Sequence, residues 1–268
     1  MSKAKHILRL AAMVGAGAAL TALLGFVEHR AGKVAVREVR VDLHTSADMH
    51  FIGTDALKQE VDKATGPVIG TPVHKLDETA IEQHLRAIPS LAGADVYHTM
   101  DGVLHVRARQ RQPIVRVINA DGTGFYIDRD GWTMPLDPNY TPRVLVVTGQ
   151  LAEPFAGHAP VNVAIGADSL PLHTHSRAIH AMARAITQDP FWNALFPQAV
   201  MDADGEITLV PSVGMMRIRI GNGNRLEQRL AKLLLFYQQG VPQADWRQYS
   251  SIDLRFNDQV VCAKRPQH

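Results

Sequence analysis

The chain has one cysteine, Cys262, in 268 residues. That excludes an intrachain disulfide and a multi-cysteine metal site, and it leaves the redox compartment open. Net charge is also scarce. A formal +2 built from mixed signs gives no reason to invoke nucleic acid. The sequence has no glycine-rich phosphate loop, no G-x-S-x-G and no H-E-x-x-H. The short signatures of nucleotide binding, acyl transfer and zinc hydrolysis are therefore missing. Internal repeats and low-complexity tracts are missing as well. What remains is a chain long enough for two ordinary domains, each with its own core.

The residue types that invite chemistry are present but badly arranged for it. There are 13 histidines. The tightest group is His173, His175 and His180, yet His175 and His180 are five apart and do not share a helix face. No acidic residue or cysteine accompanies them, so scattered solvent histidines are the better reading, and no metal or cofactor is implied. Asp128 and Asp130 form a carboxylate pair on paper. They fall in a tight turn, where aspartate is favoured for geometry alone. Cys262 beside Val261 reads as a small apolar strand residue rather than a nucleophile. Arg107, Arg109 and Arg111 read as a solvated strand face, with an acidic partner or lipid headgroups as the alternative.

One long hydrophobic run stands out. Leu10 to Val27 carries no charge and is just long enough to cross a bilayer as a helix. The rival is a cleaved signal peptide. Ala16-Gly17-Ala18 has the form of a cleavage site, but Leu20 to Val27 continues apolar beyond it, which favours an uncleaved anchor. Basic residues lie on both sides of the run, so the charge count alone does not orient it.

The remainder is organised around Asp101–Ile118, DGVLHVRARQRQPIVRVI. Asp101-Gly102 is a hairpin signal. Leu104, Val106 and Ala108 alternate with polar residues, the pattern of a half-buried strand. Pro113 removes a ladder donor, so pairing is expected to change there. Before this joint come a strand over Lys33–Leu43 and a helix capped by Thr54 with Leu57 and Val61 on one face. A second helix follows, capped by Asp77 with Ile81 and Leu85 buried, and then a strand over Ala94–Tyr97. After the joint the strands shorten: Ile114–Ile118, Gly124–Ile127, Trp132–Pro135 and Val144–Thr148. Ser176 is expected to cap a helix. A hairpin over Glu206–Ile220, a helix over Arg225–Gln239 and a terminal strand over Ser251–Lys264 complete the chain.

In this order the local text resembles the FtsQ/DivIB cell-division family. The resemblance rests on Leu85-x-x-Ile88-Pro89-Ser90-Leu91, on Asp101-Gly102-Val103-Leu104-His105-Val106, and on Gln110-Arg111-Gln112-Pro113-Ile114. Tyr126-Ile127-Asp128-Arg129-Asp130-Gly131, Val144–Gly149, Leu233–Tyr237 and Ile252-Asp253-Leu254-Arg255-Phe256 continue it. It implies an α+β chain. Residues 1–9 are a cytoplasmic tail, 10–27 a transmembrane helix, 34–110 a β-α-α-β-β POTRA module, and 113–268 a mostly antiparallel β domain with a few helices. It also implies a non-enzymatic divisome scaffold with no cofactor and no small-molecule substrate. Such a scaffold sits in the inner membrane as a single-pass protein, faces the periplasm at the septum, and binds FtsB and FtsL.

By the same resemblance the partner adds a strand to the last strand of the β domain. The matching positions are Arg255, Phe256, Asp258, Gln259, Val260, Val261, Cys262, Ala263 and Lys264. Where some members carry a glycine-flanked tryptophan, this chain has Ala263 and Lys264. The residues alone do not separate an open edge from a strand buried between neighbours. Two other readings stay open: a POTRA-bearing adaptor that holds outer-membrane or secreted substrates on the edge of its first module, and an anchored hydrolase using Asp128, Asp130 or the histidines.

Overall fold

The computed structural model describes residues 34–46, 49–157, 159–165, 174–240, 248–257 and 259–265, together with Gly15 and Gly17. The expected transmembrane run lies outside these residues except for Gly15 and Gly17, which are helical. No helix among the described residues is long and apolar enough to cross a membrane. The chain divides into two units, one comprising Ile52–Gln110 with the chain up to His44, the other Thr45–Phe51 with Arg111–His268.

The first unit is a three-stranded sheet with two helices on one face. Its elements are β1 (Glu38–His44), α1 (Thr54–Thr65), α2 (Glu78–Arg86), β2 (Leu91–His98) and β3 (Val103–Gln110). The sheet order is β1-β3-β2. β3 sits in the middle, parallel to β1 and antiparallel to β2. This centrality explains its alternation. Leu104, Val106 and Ala108 are buried with Leu57, Val61, Ile81 and Leu85 from the helices, while Arg107 and Arg109 point to solvent. Asp77 caps α2 by accepting from the Ala80 amide at 2.9 Å. Gly53, not Thr54, occupies the N-cap of α1, and the helix itself begins at Thr54. The β2–β3 hairpin turns at Gly102, whose φ of +83° suits glycine; a Cβ there would lie 2.6 Å from Ala35 O.

The second unit is one nine-stranded sheet. Its strands are β4 (Pro113–Ile118), β5 (Gly124–Asp128), β6 (Thr133–Pro135), β7 (Leu145–Gly149), β8 (Gln198–Met201), β9 (Ile207–Val210), β10 (Arg217–Gly221), β11 (Tyr249–Asp253) and β12 (Val261–Lys264). Their spatial order is β12-β11-β10-β9-β8-β7-β4-β5-β6. The sheet is mixed rather than simply antiparallel, because β4/β7, β7/β8 and β10/β11 are parallel pairs. Helices α3 (Ser176–Gln188), α4 (Pro190–Leu195) and α5 (Leu226–Leu235) supply Ile179, Met182, Trp192, Leu226, Leu230 and Leu233 to the core. That core takes Val115, Val117, Val147, Ala199, Leu209, Ile218 and Ile252 from the strands, while the intervening residues stay half-buried or exposed. Three expectations change here. His175 is the N-cap of α3, and Ser176 is its buried first residue, hydrogen-bonded to the Glu153 carboxylate. α5 ends at Leu235 and passes into a π turn, Phe236–Gly240. The single terminal strand expected over Ser251–Lys264 is two strands joined by a turn.

Candidate functional site

Among the described residues, four strands end a sheet, and three of them are defended. β6 is covered by the following loop: Thr133 N–H donates to Val161 O and Val163 N–H donates to Gly131 O, both at 2.8 Å. β2 is sealed from its own unit by side chains of α2. Arg86 Nε donates to Ala94 O at 3.0 Å, and the Val96 N–H donates to Glu82 Oε2 at 3.2 Å. Those two side chains occupy main-chain groups that a visiting strand needs. β1 carries exposed Glu38, Arg40, Asp42 and His44 along its length, the charged dressing that discourages edge pairing.

β12 is dressed more lightly: Lys264 is its one charged side chain, and Ser250 Oγ of the neighbouring β11 donates to Ala263 O at 3.2 Å and reaches Lys264 O at 3.4 Å. β12 pairs with β11 alone, antiparallel, and no described strand lies beyond it. Its phase can be read from one bond. The Arg265 N–H donates to Gln248 O at 2.7 Å, so Arg265 faces β11. Main-chain groups alternate sides along an antiparallel strand. Ala263 and Val261 therefore also turn inward, and the main chains of Cys262 and Lys264 turn outward. The side chains alternate too. Val261 and Ala263 stand opposite Asp253 and Ser251 and are exposed. Cys262 stands opposite buried Ile252, packs against the core and is half-buried; that burial pushes its thiol pKa up.

The β11–β12 connection is held by charge. Lys232 of α5 points its ammonium at Leu254 O (3.1 Å), Phe256 O and Gln259 O (3.3 Å). Arg255 binds Asp253 through Nη2 at 2.7 Å and Glu206 through Nη1 at 3.0 Å, and both partnerships raise its pKa. Burial works to raise the Asp253 pKa, but the hydrogen bonds from Arg255 outweigh it and hold the carboxyl below its ordinary value. Phe256 is 45% exposed. It lines a shallow cavity of about 120 Å³ with Arg225, Arg229 and Lys232, so a phenyl ring sits beside three cations. Leu235, 51% exposed, lies three residues after Lys232 and hence on the same helix flank.

The nine positions expected to bind a partner are thus divided. Val261, Cys262, Ala263 and Lys264 form the edge strand. Arg255, Phe256, Gln259 and Val260 lie in the connection rather than in a strand, because the chain reverses after Asp253. Asp258 lies outside the described residues. Lys232 and Glu206 belong to the same locality and carry no sequence signal for it, since they are 22 or more residues away from the groups they hold. Elsewhere, Asp128 is 2% exposed. It pairs with Arg111 at 2.9 Å and accepts the Asp130 and Trp132 amides, which is a turn-anchoring role. His180 contacts Arg129 O at 3.1 Å. His173 lies outside the described residues, and no group of three metal-ligating side chains occurs among those described.

A helix-backed three-stranded unit followed by a mixed sheet with an open terminal strand defines a two-unit class, and sequence comparison identifies both units. Residues 35–109 match the POTRA-like domain, and residues 112–263, more than half of the chain, match the family described as FtsQ/DivIB, C-terminal related. The chain belongs to the FtsQ/DivIB family. It is 28% identical over 196 residues to the "Cell division protein FtsQ" of Rhodothermus marinus, covering 72% of this chain and 67% of that one. It is 29% identical over 172 residues to the protein of that name from Salinibacter ruber, covering 62% and 61%.

Proposed function

We propose that this chain is a non-enzymatic cell-division scaffold whose second unit captures FtsB, coupled to FtsL, by strand addition to β12. The observation that carries this reading is that, among the described residues, no strand pairs with the outer side of β12, toward which the Cys262 and Lys264 N–H groups turn. Main-chain pairing supplies affinity in such complexes, and side-chain pockets supply selectivity. Phe256 offers an apolar contact in the connection that leads into β12, and Arg225 and Arg229 beside it favour a partner that brings carboxylates. Residues 10–27 hold the protein in the inner membrane with both units in the periplasm at the septum, where the complex helps place septal peptidoglycan synthesis. The names of the two relatives support the cell-division role. The sealed β2 edge weighs against the POTRA unit accepting unfolded substrates there.

The test is co-purification of FtsB and FtsL with the full-length chain. Phe256→Ala is expected to weaken capture about tenfold, the loss of roughly 1.4 kcal/mol from an aromatic anchor, with the fold unchanged by circular dichroism. Depletion of the protein is expected to give undivided filaments. Undiminished capture by Phe256→Ala together with a proline at Cys262, or normally spaced septa on depletion, contradicts the reading.

A further inference from the structure

The described residues of the β11–β12 connection, Leu254–Asn257 with Gln259 and Val260, have little regular structure of their own. The connection's described main-chain ties are the Leu254 N–H to Arg219 O (2.9 Å) and the Arg255 N–H to its neighbour Asp253 Oδ1 (3.1 Å). Arg225 Nη1 adds a side-chain bond to Asn257 Oδ1 at 3.3 Å. Against this background Lys232 is unusual. It reaches carbonyls on both limbs of the turn, Leu254 and Phe256 on the way out of β11 and Gln259 on the way into β12. An ammonium offers three donors and no acceptor, and it directs them pyramidally. Three carbonyls converging on it need not be paired with one another, so a non-repeating turn can be held in one shape. Charge-assisted bonds of this kind are about twice as strong as neutral ones.

We infer that Lys232 is a positioning residue: its ammonium fixes the β11–β12 connection, and thereby presents the outer edge of β12 and the Phe256 ring in the arrangement that a partner strand meets. The inference rests on the strand-addition reading for its consequence, though not for its structural half. Without the lysine, Arg255 remains anchored to Asp253 and Glu206, and the core beneath Ile252 and Leu254 is untouched. What changes is the population of the competent shape. Apparent affinity falls by the fraction of molecules in the binding state. A connection that is correctly shaped one time in ten binds tenfold more weakly, although no residue touching the partner strand has been altered.

The experiment compares full-length wild type, Lys232→Met and Lys232→Arg. Methionine keeps the stem and removes the donors. Arginine keeps the charge but offers a planar fork that does not match three pyramidally arranged carbonyls. In the free protein, exchange of the inward-facing Val261 and Ala263 amides is expected to accelerate at least tenfold in Lys232→Met, with exchange in β7 to β10 and the urea midpoint unchanged. Lys232→Arg is expected to lie between. Affinity for the FtsB periplasmic segment is expected to fall by the fraction of molecules left in the competent shape, through a slower association rate. Phe256→Ala supplies the contrast, because it should lose affinity through faster dissociation with no change in exchange. Unchanged exchange at Val261 and Ala263 in Lys232→Met overturns the inference, as does accelerated exchange throughout the sheet. Wild type that fails to bind the FtsB segment overturns strand addition instead, and the exchange comparison still decides the role of Lys232.

Discussion

A pair of prolines one residue apart separates the binding edge from the structural ladder. In β12 the Cys262 N–H turns away from β11 and the Ala263 N–H turns toward it, a phase set by the Arg265 N–H to Gln248 O bond. Proline is tolerated on an edge strand where its missing N–H would face outward. Cys262→Pro should therefore leave the ladder to β11 intact. Its cost to the fold is the half-buried thiol packed against the core, and Cys262→Ala measures that cost separately. The same proline removes one intermolecular donor and thrusts a ring where the partner strand must lie. Net main-chain hydrogen bonds contribute about 0.5–1.5 kcal/mol each, and an orphaned partner carbonyl costs about 1–3 kcal/mol more. Affinity for the FtsB segment should accordingly fall by roughly ten- to a hundredfold. Ala263→Pro does the converse. It breaks a bond to β11 opposite Ser251 and should destabilise the second unit by about 1–3 kcal/mol. Val261→Pro also faces inward and suffers the same confusion of folding with binding. Titration calorimetry and urea unfolding on each variant provide the two readouts. The reasoning is refuted if Cys262→Pro is folded and binds like Cys262→Ala, or if it unfolds as readily as Ala263→Pro.

Three further outcomes follow from other parts of the molecule. Arg111→Ala leaves the buried Asp128 carboxylate with only its two turn amides, so urea unfolding of the second unit should report a loss of about 3 kcal/mol. Glu82→Ala combined with Arg86→Ala uncovers Ala94 O and the Val96 N–H, and sedimentation should reveal concentration-dependent self-association absent from wild type. Asp253 has a folded pKa below its ordinary 3.8, so its contribution to stability is complete above that value and is lost as pH falls through the lowered one. The urea midpoint of wild type should therefore drop more steeply below about pH 4 than that of Asp253→Asn; parallel curves would remove Asp253 from the account.

Much of the first unit is visible in the chain because its determinants are local. Asp77 sits immediately before the helix it caps, and Leu104, Val106 and Ala108 alternate because β3 has a helix layer on one side and water on the other. The misreadings fall where a distant group decides. Ser176 looks like a cap, but Glu153, 23 residues away, takes both its amide and its hydroxyl, and this pulls it inside the helix. β8 is only four residues, Gln198–Met201; it pairs antiparallel with β9 and parallel with β7, and no turn signal exists for the parallel pair. Ile252, Leu254 and Phe256 alternate as one strand would. Leu254 is nevertheless fully buried while Phe256 is 45% exposed, because β11 ends at Asp253 and the chain turns back before β12, with Lys232 bonded to the carbonyls of both residues. Edge status is the least local property of all. Whether β12 has a second neighbour depends on the placement of eight other strands, and nothing within Val261–Lys264 encodes it.

The most direct measurement is residue-resolved amide exchange of the full-length chain with and without the FtsB periplasmic segment. The account predicts that the Cys262 and Lys264 amides become strongly protected on binding, with Ala263 already protected in the free chain and the amides of β1 and β2 unchanged. Protection that appears elsewhere while Cys262 and Lys264 exchange at their free rates would contradict it.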